Sequence, residues 1–269
     1  MDLHLKDKHI LVTGGTGGIG SSIVEHLVKE ESKVSIHFHK NLKKAQEMQN
    51  KYIEGKVVLL KGDLSKENDV RDVFSKATNH FGRIDGLVAN AGIWSSIPKL
   101  TSEIGLDQWQ EIINTNLTAV YLCVKEYFKN LKKYPKANAS LVLIGSTAGL
   151  FGEAGHADYS ATKAAIQYGL TRTWKNEIVK FAPLGRVNTV APGWVDTEMA
   201  EESLEDQDVV KRILQTIPLR KIAKPEDIAR TVIFLLSDYA SGHISGNTIL
   251  VHGGMEGRIL FDKDDISIS

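Results

Sequence analysis

A glycine-rich turn after the first apolar run constrains the fold of this chain more than any other feature. Residues 13–20 read Thr-Gly-Gly-Thr-Gly-Gly-Ile-Gly, and a helical pattern begins within them. Glycine lets the backbone turn sharply and approach a ligand without a Cβ in the way, and the amides of the following helix attract an anion. We predict a phosphate-binding turn between a first strand and a first helix, with an ordinary connecting turn as the alternative. No Gly-Lys-Ser/Thr follows, which excludes a Walker-type loop.

Short apolar runs alternate with helical patterns along the chain. The strand-like runs are His9–Thr13, Lys33–Phe38, Val57–Lys61, Gly86–Asn90, Ser140–Gly145, Arg186–Ala191 and Thr248–Val251. The helical patterns are Gly18–Glu30, Leu42–Tyr52, Glu67–Phe81, Asp107–Leu131, Tyr159–Lys180 and Pro225–Leu236. Most strand-like runs are continuously apolar, as expected when both faces of a strand are covered. The order predicts an α/β, Rossmann-type, doubly wound parallel sheet of about seven strands with helices on both faces.

No linker, change of composition or internal repeat divides the sequence, which predicts a single domain over residues 1–269. Residues 196–217 interrupt the alternation of strands and helices, and we expect them to form an inserted loop near the substrate. Residues 259–269 follow the last strand as a C-terminal tail without clear periodicity.

Charge and composition argue against several classes of function. The 33 Lys and Arg residues balance 33 Asp and Glu residues, so no global field would hold nucleic acid or an anionic membrane. No window resembles a membrane span, and the first residues lack the apolar stretch of a signal peptide. The single cysteine, Cys123, lies in an apolar pattern that suits a buried side chain and a reducing compartment. We expect a cytoplasmic protein without a nucleic-acid partner, a membrane partner or a metal site.

Several short motifs occur in order along the chain and together carry a family resemblance. Gly14, Gly18 and Gly20 have the spacing T-G-x-x-x-G-x-G rather than G-x-G-x-x-G. The other motifs are Asp63-Leu64, Asn90-Ala91-Gly92, Asn116, Ser146, Tyr159-x-x-x-Lys163, and Pro192-Gly193 followed by Thr197. This order resembles the short-chain dehydrogenase/reductase family. The resemblance implies an NAD(P)(H)-dependent oxidoreductase that interconverts a ketone and a secondary alcohol.

The carboxyl ends of parallel strands are where doubly wound sheets bind their ligands. The resemblance implies that the cofactor-binding residues are Thr13, Gly14, Gly15, Thr16, Gly18, Ile19, Gly20, His39, Lys40, Asp63, Leu64, Asn90, Ala91, Gly92, Tyr159, Lys163, Pro192, Gly193, Val195 and Thr197. Asp63 would accept a hydrogen bond from the adenine amino group, with a cap for the next helical turn as an equal alternative. The segment Asn90-Ala91-Gly92 would allow close approach of the cofactor, with an ordinary strand-ending turn as the alternative.

Four residues, Asn116, Ser146, Tyr159 and Lys163, are the predicted catalytic set. Tyr159 and Lys163 share one helix face, and the ammonium is expected to lower the phenol pKa so that it can exchange protons with a substrate oxygen. Ser146 would hydrogen-bond that oxygen where charge develops. The resemblance implies that Lys163 also holds the nicotinamide ribose and that Asn116 anchors a water that relays protons. A Tyr/Lys pair on a solvated helix is the alternative; a nucleophilic Ser146 is unsupported because the G-x-S-x-G elbow is missing.

The end of the second strand-like run indicates which nicotinamide is bound. It reads His37-Phe38-His39-Lys40-Asn41, with Lys43 and Lys44 next, and offers no carboxylate for a ribose 2′-hydroxyl. These bases favour NADP(H), because they could receive a 2′-phosphate. NAD(H) is the alternative, since Gly17 stands where many NADP-dependent relatives have Arg or Lys. The lysines could also simply solvate the start of a helix.

The predicted substrate-binding residues are Trp94, Ser146, Phe151, Tyr159 and Trp194, with Met199 as a further apolar candidate. The chain resembles the 3-oxoacyl-(acyl-carrier-protein) reductase branch of the family, with sugar or polyol dehydrogenases as the alternative. An acidic acyl carrier protein would need a basic patch. The candidates for it are Lys125, Lys129, Lys132 and Lys133, for which a solvated helix end is the simpler explanation. His252 stands where relatives usually have Asp before two glycines.

Two other classes of protein compete with this interpretation. A non-catalytic dinucleotide-binding redox sensor would share the turn but would not need Ser146, Tyr159 and Lys163 together. A methyltransferase should end its second strand in an acid, which is missing here. By resemblance the protein forms a homotetramer through the 107–131 and 159–180 helices, and its partner is a small carbonyl or alcohol substrate.

Overall fold

Seven parallel strands form a single sheet, which confirms the predicted fold class. The computed structural model describes residues 2–52 and 55–267. The strands are β1 (His9–Val12), β2 (Lys33–Phe38), β3 (Val57–Lys61), β4 (Gly86–Ala89), β5 (Ser140–Ile144), β6 (Arg186–Pro192) and β7 (Thr248–Val251). Their order is β3-β2-β1-β4-β5-β6-β7, with parallel pairing throughout. Because the order reverses between β1 and β4, a crevice opens at the C-terminal ends of these strands.

The helices connect the strands by crossovers over both faces of the sheet. They are α1 (Gly18–Lys29), α2 (Leu42–Asn50), α3 (Glu67–Phe81), α4 (Leu106–Ile113), α5 (Ala119–Lys133), α6 (Ala148–Phe151), α7 (Ala157–Ala164), α8 (Thr171–Ile178), α9 (Glu201–Glu205), α10 (Gln207–Leu214), α11 (Pro225–Leu236) and α12 (Asp238–Ser241). No helix within residues 2–52 and 55–267 is long and apolar enough to cross a membrane.

The two long helical patterns of the middle of the chain each contain a π-helical turn. The first separates α4 from α5 at Asn114–Thr118, and the second separates α7 from α8 at Ala165–Leu170. A π turn inserts an extra residue into the hydrogen-bond ladder and re-aims the side chains around it, and such turns are frequent at functional sites. The sequence pattern predicted continuous helices here because apolar periodicity does not reveal a local change of ladder.

Successive strand residues contribute to opposite core layers. In β1, Leu11 packs in the layer that contains Val124 of α5, whereas Ile10 and Val12 pack in the layer that contains Ile23 of α1. Burying one such aliphatic side chain contributes roughly 1.5–3 kcal/mol. This two-sided burial explains why the strand-like runs are continuously apolar.

Cys123 lies inside the α5 layer, where only 1% of its surface is exposed. Burial raises the pKa of its thiol to about 12.

The predicted inserted loop, residues 196–217, contains α9 and α10 and is held by the C-terminal segment. Ile266 packs against Val210 and Leu214 of α10. Gln215 donates from Nε2 to the Phe261 carbonyl at 2.9 Å and accepts from the amide of Leu260 at 2.8 Å. We call residues 260–266 the C-terminal strap. The last two residues of the predicted tail, 268 and 269, lie outside the described residues.

Candidate active site

A cleft of about 540 Å³ opens at the C-terminal ends of the strands. The predicted site residues that line it are Gly14, Thr16, Gly18, Ile19, Gly20, His39, Lys40, Asn90, Ala91, Gly92, Trp94, Ser146, Tyr159, Lys163, Pro192, Gly193, Trp194, Val195, Thr197 and Met199. The predicted residues outside its lining are Thr13, Gly15, Asp63, Leu64, Asn116 and Phe151. The structure therefore brings the glycine-rich turn and the Ser146, Tyr159 and Lys163 side chains into one cleft.

The glycine-rich turn is fastened to the end of β4 by an amide side chain. Asn90 donates from Nδ2 to the carbonyl oxygens of Thr13 and Gly14, both at 3.0 Å. Gly14 has a φ of +61°, and a Cβ there would lie 2.9 Å from Ala91 Cα. A Cβ on Gly20 would overlap the Gly14 carbonyl oxygen and lie 2.8 Å from Asn90 Nδ2. Both positions need glycine because the turn, α1 and the end of β4 touch one another.

Thr13 and Gly15 support the turn from behind. Thr13 Oγ1 accepts hydrogen bonds from the amides of Asn90 and Ala91 at 2.9 and 3.0 Å. A Cβ on Gly15 would lie 2.8 Å from the Ile36 side chain, so this glycine lets the turn rest on β2. These two residues shape the turn through contacts with the protein.

His37 is a functional residue that the sequence analysis missed. Its Nδ1 accepts from the Gly14 amide at 3.1 Å, and its Nε2 lies 3.1 Å from the Gly62 carbonyl oxygen, to which it donates. Burial lowers the pKa of His37 to about 4, so the ring is neutral near pH 7 and its proton belongs on Nε2. One ring therefore ties the turn to the segment after β3. The available signal was a polar residue inside an apolar strand run.

The start of α1 fits the pyrophosphate of a dinucleotide. The N-cap of α1 is Gly17, and for a Cβ placed there the nearest atom is the Gly14 carbonyl oxygen at 3.4 Å. A Cβ on Gly18 would lie 2.6 Å from Thr197 Cγ2, so this glycine lets the inserted loop close against the turn. Glycines at both positions keep side chains away from the helix amides, which can then approach an anion.

The end of β2 faces the same cleft with basic and neutral groups. His39, Lys40 and Asn41 line the cleft directly after β2, and none of them is a carboxylate. Lys44 lies in α2 and forms an ion pair with Glu198 of the inserted loop. The structure thus places Lys40 at the cleft and engages Lys44 with a protein carboxylate.

Asp63 and Leu64 lie beside the cleft rather than in its lining. Asp63 Oδ1 accepts from the amide and the hydroxyl of Ser65 at 3.1 and 2.7 Å, and Oδ2 lies 3.4 Å from Lys66 Nζ. Leu64 is buried in the core. These contacts support the alternative function of Asp63, which is to stabilise the turn before α3.

Ser146, Tyr159 and Lys163 converge from β5 and α7. Ser146 follows β5, and its Oγ accepts from the Ala148 amide at 3.1 Å. Lys163 lies one helical turn beyond Tyr159, with Nζ 5.5 Å from the centre of the tyrosine ring. The same Nζ donates to the Ile144 carbonyl at 2.9 Å, and the residue is only 5% exposed. Burial among these groups fixes the ammonium next to the phenol.

The pKa of Tyr159 differs from the predicted direction. Burial raises the pKa of Tyr159 to about 12, and the nearby Ser146 hydroxyl offsets only part of this rise. Burial also lowers the pKa of Lys163 to about 8. The prediction of a lowered phenol pKa is therefore wrong for this cleft: desolvation sets the direction of the shift, and Lys163 is not among its causes. The phenol is protonated at neutral pH, as a proton donor must be.

Asn116 is fully buried in the first π turn and does not reach the cleft. Its Nδ2 donates to the Ile93 carbonyl and its Oδ1 accepts from the Ile93 amide, both at 2.8 Å. A Cβ on Gly92 would lie 3.2 Å from Asn116 Oδ1. Both polar groups of the side chain are thus engaged in holding the segment after β4.

The substrate end of the cleft contains two tryptophans and the acid Glu153, which has no ion-pair partner among the described residues, unlike Glu198 of the same lining. Trp94 meets Trp194 nearly at right angles, with ring centres 5.9 Å apart. Glu153, which the sequence analysis did not single out, lines the same cleft. Phe151 is 43% exposed and lies outside the cleft lining, near Gly257. The only sequence signal for Glu153 was an acidic residue in a glycine-rich loop before Tyr159.

Comparisons with known families and proteins agree over most of the chain. A family described as Enoyl-(Acyl carrier protein) reductase matches residues 14–256. The 3-oxoacyl-(acyl-carrier-protein) reductase of Synechocystis is 34% identical over 247 residues, covering 91% of this chain and 95% of that protein. The 3-oxoacyl-(acyl-carrier-protein) reductase FabG of Staphylococcus epidermidis is 33% identical over 253 residues, covering 93% and 99% respectively.

Solved structures of short-chain dehydrogenase/reductases also match this chain over most of its length. A glucose/ribitol dehydrogenase-type short-chain dehydrogenase/reductase from Brucella melitensis has a TM-score of 0.86 and 29% identity, and the match covers 94% of this chain and 98% of that one. A mutant short-chain dehydrogenase/reductase from Serratia marcescens has a TM-score of 0.84 and 28% identity, with coverage of 93% and 98%.

Proposed function

The chain belongs to the short-chain dehydrogenase/reductase family and is an oxidoreductase of ketones and alcohols, and from this premise we propose that it reduces 3-oxoacyl thioesters with NADPH. One observation carries the proposal. Ser146, Tyr159 and Lys163 line the same cleft as the glycine-rich turn, so a dinucleotide on the turn would extend towards the phenol.

Each catalytic residue has a task that its surroundings support. When bound, the nicotinamide supplies the hydride. Tyr159 is protonated at neutral pH and gives its proton to the carbonyl oxygen, a contribution of about 10²–10⁴-fold for one positioned acid. The Ser146 hydroxyl donates a hydrogen bond to the same oxygen. The ammonium of Lys163 stabilises the phenolate that remains and binds the nicotinamide ribose, while Asn116 positions Gly92 and Ile93 beside them.

The preference for NADP(H) is supported by the residues after β2. His39 and Lys40 line the cleft where the adenosine ribose of a dinucleotide on the glycine-rich turn would lie, and no carboxylate accompanies them. A 2′-phosphate would gain a cationic partner there, whereas a free ribose diol would find no acid to accept its hydrogen bonds.

The 3-oxoacyl substrate is supported by the names of the two curated relatives and by the apolar walls of the cleft. An acyl carrier protein would be the natural donor, but two of the four candidate lysines have acidic partners. Lys125 pairs with Glu67 and Lys129 pairs with Glu126, both at 2.7 Å. The basic patch is therefore weaker than its sequence suggests, and a coenzyme A thioester is an equally suitable form of the substrate.

A sugar or polyol is the second candidate substrate, and one observation favours it. Glu153 brings a carboxylate to the aromatic end of the cleft, where hydroxyl groups would find an acceptor. A purely sensing protein is the less favoured alternative, because it would not need Ser146, Tyr159 and Lys163 together in one cleft.

We further propose a cytoplasmic homotetramer. Trp109 of α4, Tyr121 of α5 and Tyr168 of the second π turn are exposed aromatic residues on the helices that would pack between subunits. Large exposed apolar side chains on neighbouring helices are typical of an interface between protein chains.

The proposal is tested by following nicotinamide absorbance with NADPH and NADH against 3-oxoacyl, enoyl and sugar substrates. We expect turnover of 3-oxoacyl thioesters with NADPH, and a kcat about 1,000-fold lower in Tyr159→Phe with unchanged NADPH affinity. Reduction of enoyl thioesters alone would overturn the substrate assignment. Full turnover by Tyr159→Phe would overturn the role of the phenol, and tight NADPH binding without turnover of any substrate would favour the sensor.

A further inference from the structure

Glu153 places a carboxylate inside the cleft, next to the groups that carry out the reaction. It lies in the loop between α6 and α7, six residues before Tyr159, and lines the cleft together with Trp94 and Trp194. Its charge acts on Tyr159, where it adds to the rise of the phenol pKa. Partial burial raises the pKa of Glu153 itself. The Glu153 side chain therefore lies in the same cleft as the groups that react.

The fold makes no use of this carboxylate. The Glu153 amide donates to Ser160 Oγ at 3.2 Å, and its carbonyl accepts from the His156 amide at 3.1 Å. Among the described residues, no group donates a hydrogen bond or an ion pair to the carboxylate oxygens. Glu153 is half-buried, and its carboxylate oxygens are not among the buried side-chain atoms that lack a partner, so they stay open to the cleft and available to a ligand. A partner from the substrate would explain the residue.

The surroundings define what that partner can be. Lys163 is the cation closest to the reaction, and its N–H groups serve the Ile144 carbonyl and, in the proposed function, the nicotinamide ribose and the phenolate. An anionic substrate group at this end would meet Glu153 without compensation, whereas a donor would gain a charge-assisted hydrogen bond. The two indole rings supply aromatic surface for the carbon skeleton, and their faces also attract an ammonium group. This end of the cleft therefore favours a substrate that carries a hydroxyl or an ammonium group and disfavours one that carries a carboxylate or a phosphate.

We propose that Glu153 is a specificity-determining residue, whose carboxylate accepts a hydrogen bond from a hydroxyl or ammonium group carried by the substrate close to its reacting carbonyl. The inference rests on the proposed ketoreductase function and sharpens its substrate class to ketones with a nearby donor. A plain 3-oxoacyl chain carries no such donor next to its ketone, so the inference favours the hydroxyl-bearing substrates named above as the second candidate.

Matched ketones of nearly equal shape test the proposal. Butanone, hydroxyacetone and aminoacetone differ in one terminal group, which is methyl, hydroxyl or ammonium. Pentan-2-one, 4-hydroxybutan-2-one and 4-aminobutan-2-one repeat the series one carbon farther out. A 3-oxoacyl thioester of coenzyme A serves as the reference substrate. The measured quantity is the ratio of kcat/KM for a donor-bearing ketone to that for its methyl counterpart, with NADPH saturating.

We expect the wild-type enzyme to prefer a donor-bearing ketone in at least one series, and Glu153→Leu to reduce that ratio by about 10-fold or more, mainly through KM. Glu153→Gln keeps an acceptor without the charge. It should retain most of the preference for a hydroxyl and lose most of the preference for an ammonium, which identifies the donor. The exposed Glu177→Gln on α8 is the matched control and should leave every ratio unchanged.

Failure of this inference is distinct from failure of the proposed function. If the enzyme reduces ketones and Glu153→Leu changes donor-bearing and methyl substrates by the same factor, Glu153 does not set specificity although the ketoreductase assignment stands. Reduction of the thioester alone, with none of the matched ketones turned over, and with a kcat/KM for the thioester unchanged in Glu153→Leu, also overturns it. No ketone or thioester turnover at all would remove the proposed function first.

Discussion

The two ends of the cleft are built in different ways. At the cofactor end, Gly14 is fixed by Asn90 and His37, and a Cβ on Gly20 would collide with its neighbours. The inserted loop begins against the turn, where Thr197 contacts Gly18 and Glu198 pairs with Lys44, and farther along it the C-terminal strap holds α10. Close backbone contacts and buried hydrogen bonds leave one arrangement for the turn, whereas α10 is held by a small apolar cluster and a few hydrogen bonds.

The difference matches the two ligands. A dinucleotide has the same shape in every turnover, so a turn with no alternative conformation binds it without further ordering. A substrate must enter, react and leave, and a loop held by one ion pair and one small apolar cluster can open at a lower cost than the turn. We therefore expect substitutions at the cofactor end to affect every substrate alike, and substitutions in α9 and α10, beyond Thr197, to affect mainly substrate binding.

The largest effect is expected at Gly20. In Gly20→Ala the added methyl group would overlap the Gly14 carbonyl, displace the turn and weaken NADPH binding by about 100-fold. The measurement is the NADPH dissociation constant by fluorescence titration, with circular dichroism to confirm the fold. Gly105→Ala is the matched control, because Gly105 lies outside the cleft lining and no atom lies within 4 Å of a Cβ placed there. Equal losses in both variants would contradict the idea that the turn permits one arrangement.

A second prediction concerns the cofactor end and states how acid, acting on His37, lowers the stability of the folded protein. His37 has a folded pKa of about 4 and an ordinary value of 6.5, so between these values the unfolded chain binds more protons than the folded one. The stability that neutral His37 confers is complete above pH 6.5 and is lost as the pH falls towards 4. At pH 5 the loss amounts to about 2 kcal/mol.

The variant His37→Gln tests this acid response, since glutamine can still accept from Gly14 and donate to Gly62. Urea denaturation at pH 7 and pH 5 should show that the variant loses about 2 kcal/mol less than the wild type between the two values. The exposed His80→Gln should behave as the wild type does. An unchanged pH dependence in His37→Gln would mean that the ring does not couple the turn to pH.

The smallest effect is expected at the strap. Ile266→Asp would place a charge in the contact with Val210 and Leu214 and loosen α10. We expect KM for the substrate to rise by about 5-fold with no change in NADPH affinity, since the cost falls on a locally opening segment. Ile259→Asp lies just before the strap, where the side chain is 71% exposed, and should have no effect. A parallel loss of NADPH affinity would show that the two ends are not separable.

The predictable part of the molecule is the part that local sequence determines. Strands with two buried faces leave continuous apolar runs, and the turn at Gly14 leaves a run of glycines, so the sheet and the cofactor end could be read directly. The convergence of Ser146 and Tyr159 could be predicted as well, because strand ends of a parallel sheet meet at one edge.

The remaining features depend on contacts between distant segments. His37 acquires its role only when three strand ends are neighbours, and Glu153 only when its loop lies over Tyr159. The strap has no periodicity because it packs on a helix of the inserted loop instead of the sheet. The direction in which the Tyr159 pKa shifts depends on how much water the folded cleft excludes. The spacing of Tyr159 and Lys163 in the sequence gives no information about this.

The buried position of Cys123 has a practical consequence for measuring how far the inserted loop opens. A thiol with a pKa of about 12 is almost entirely protonated under physiological conditions, and the thiolate is the form that reacts with maleimides. Cys123 is therefore expected to react little with a maleimide label, so that an introduced cysteine can be labelled selectively. A cysteine introduced at an exposed position of α9, paired with one on α2, would report the distance across the cleft mouth without first removing the natural residue.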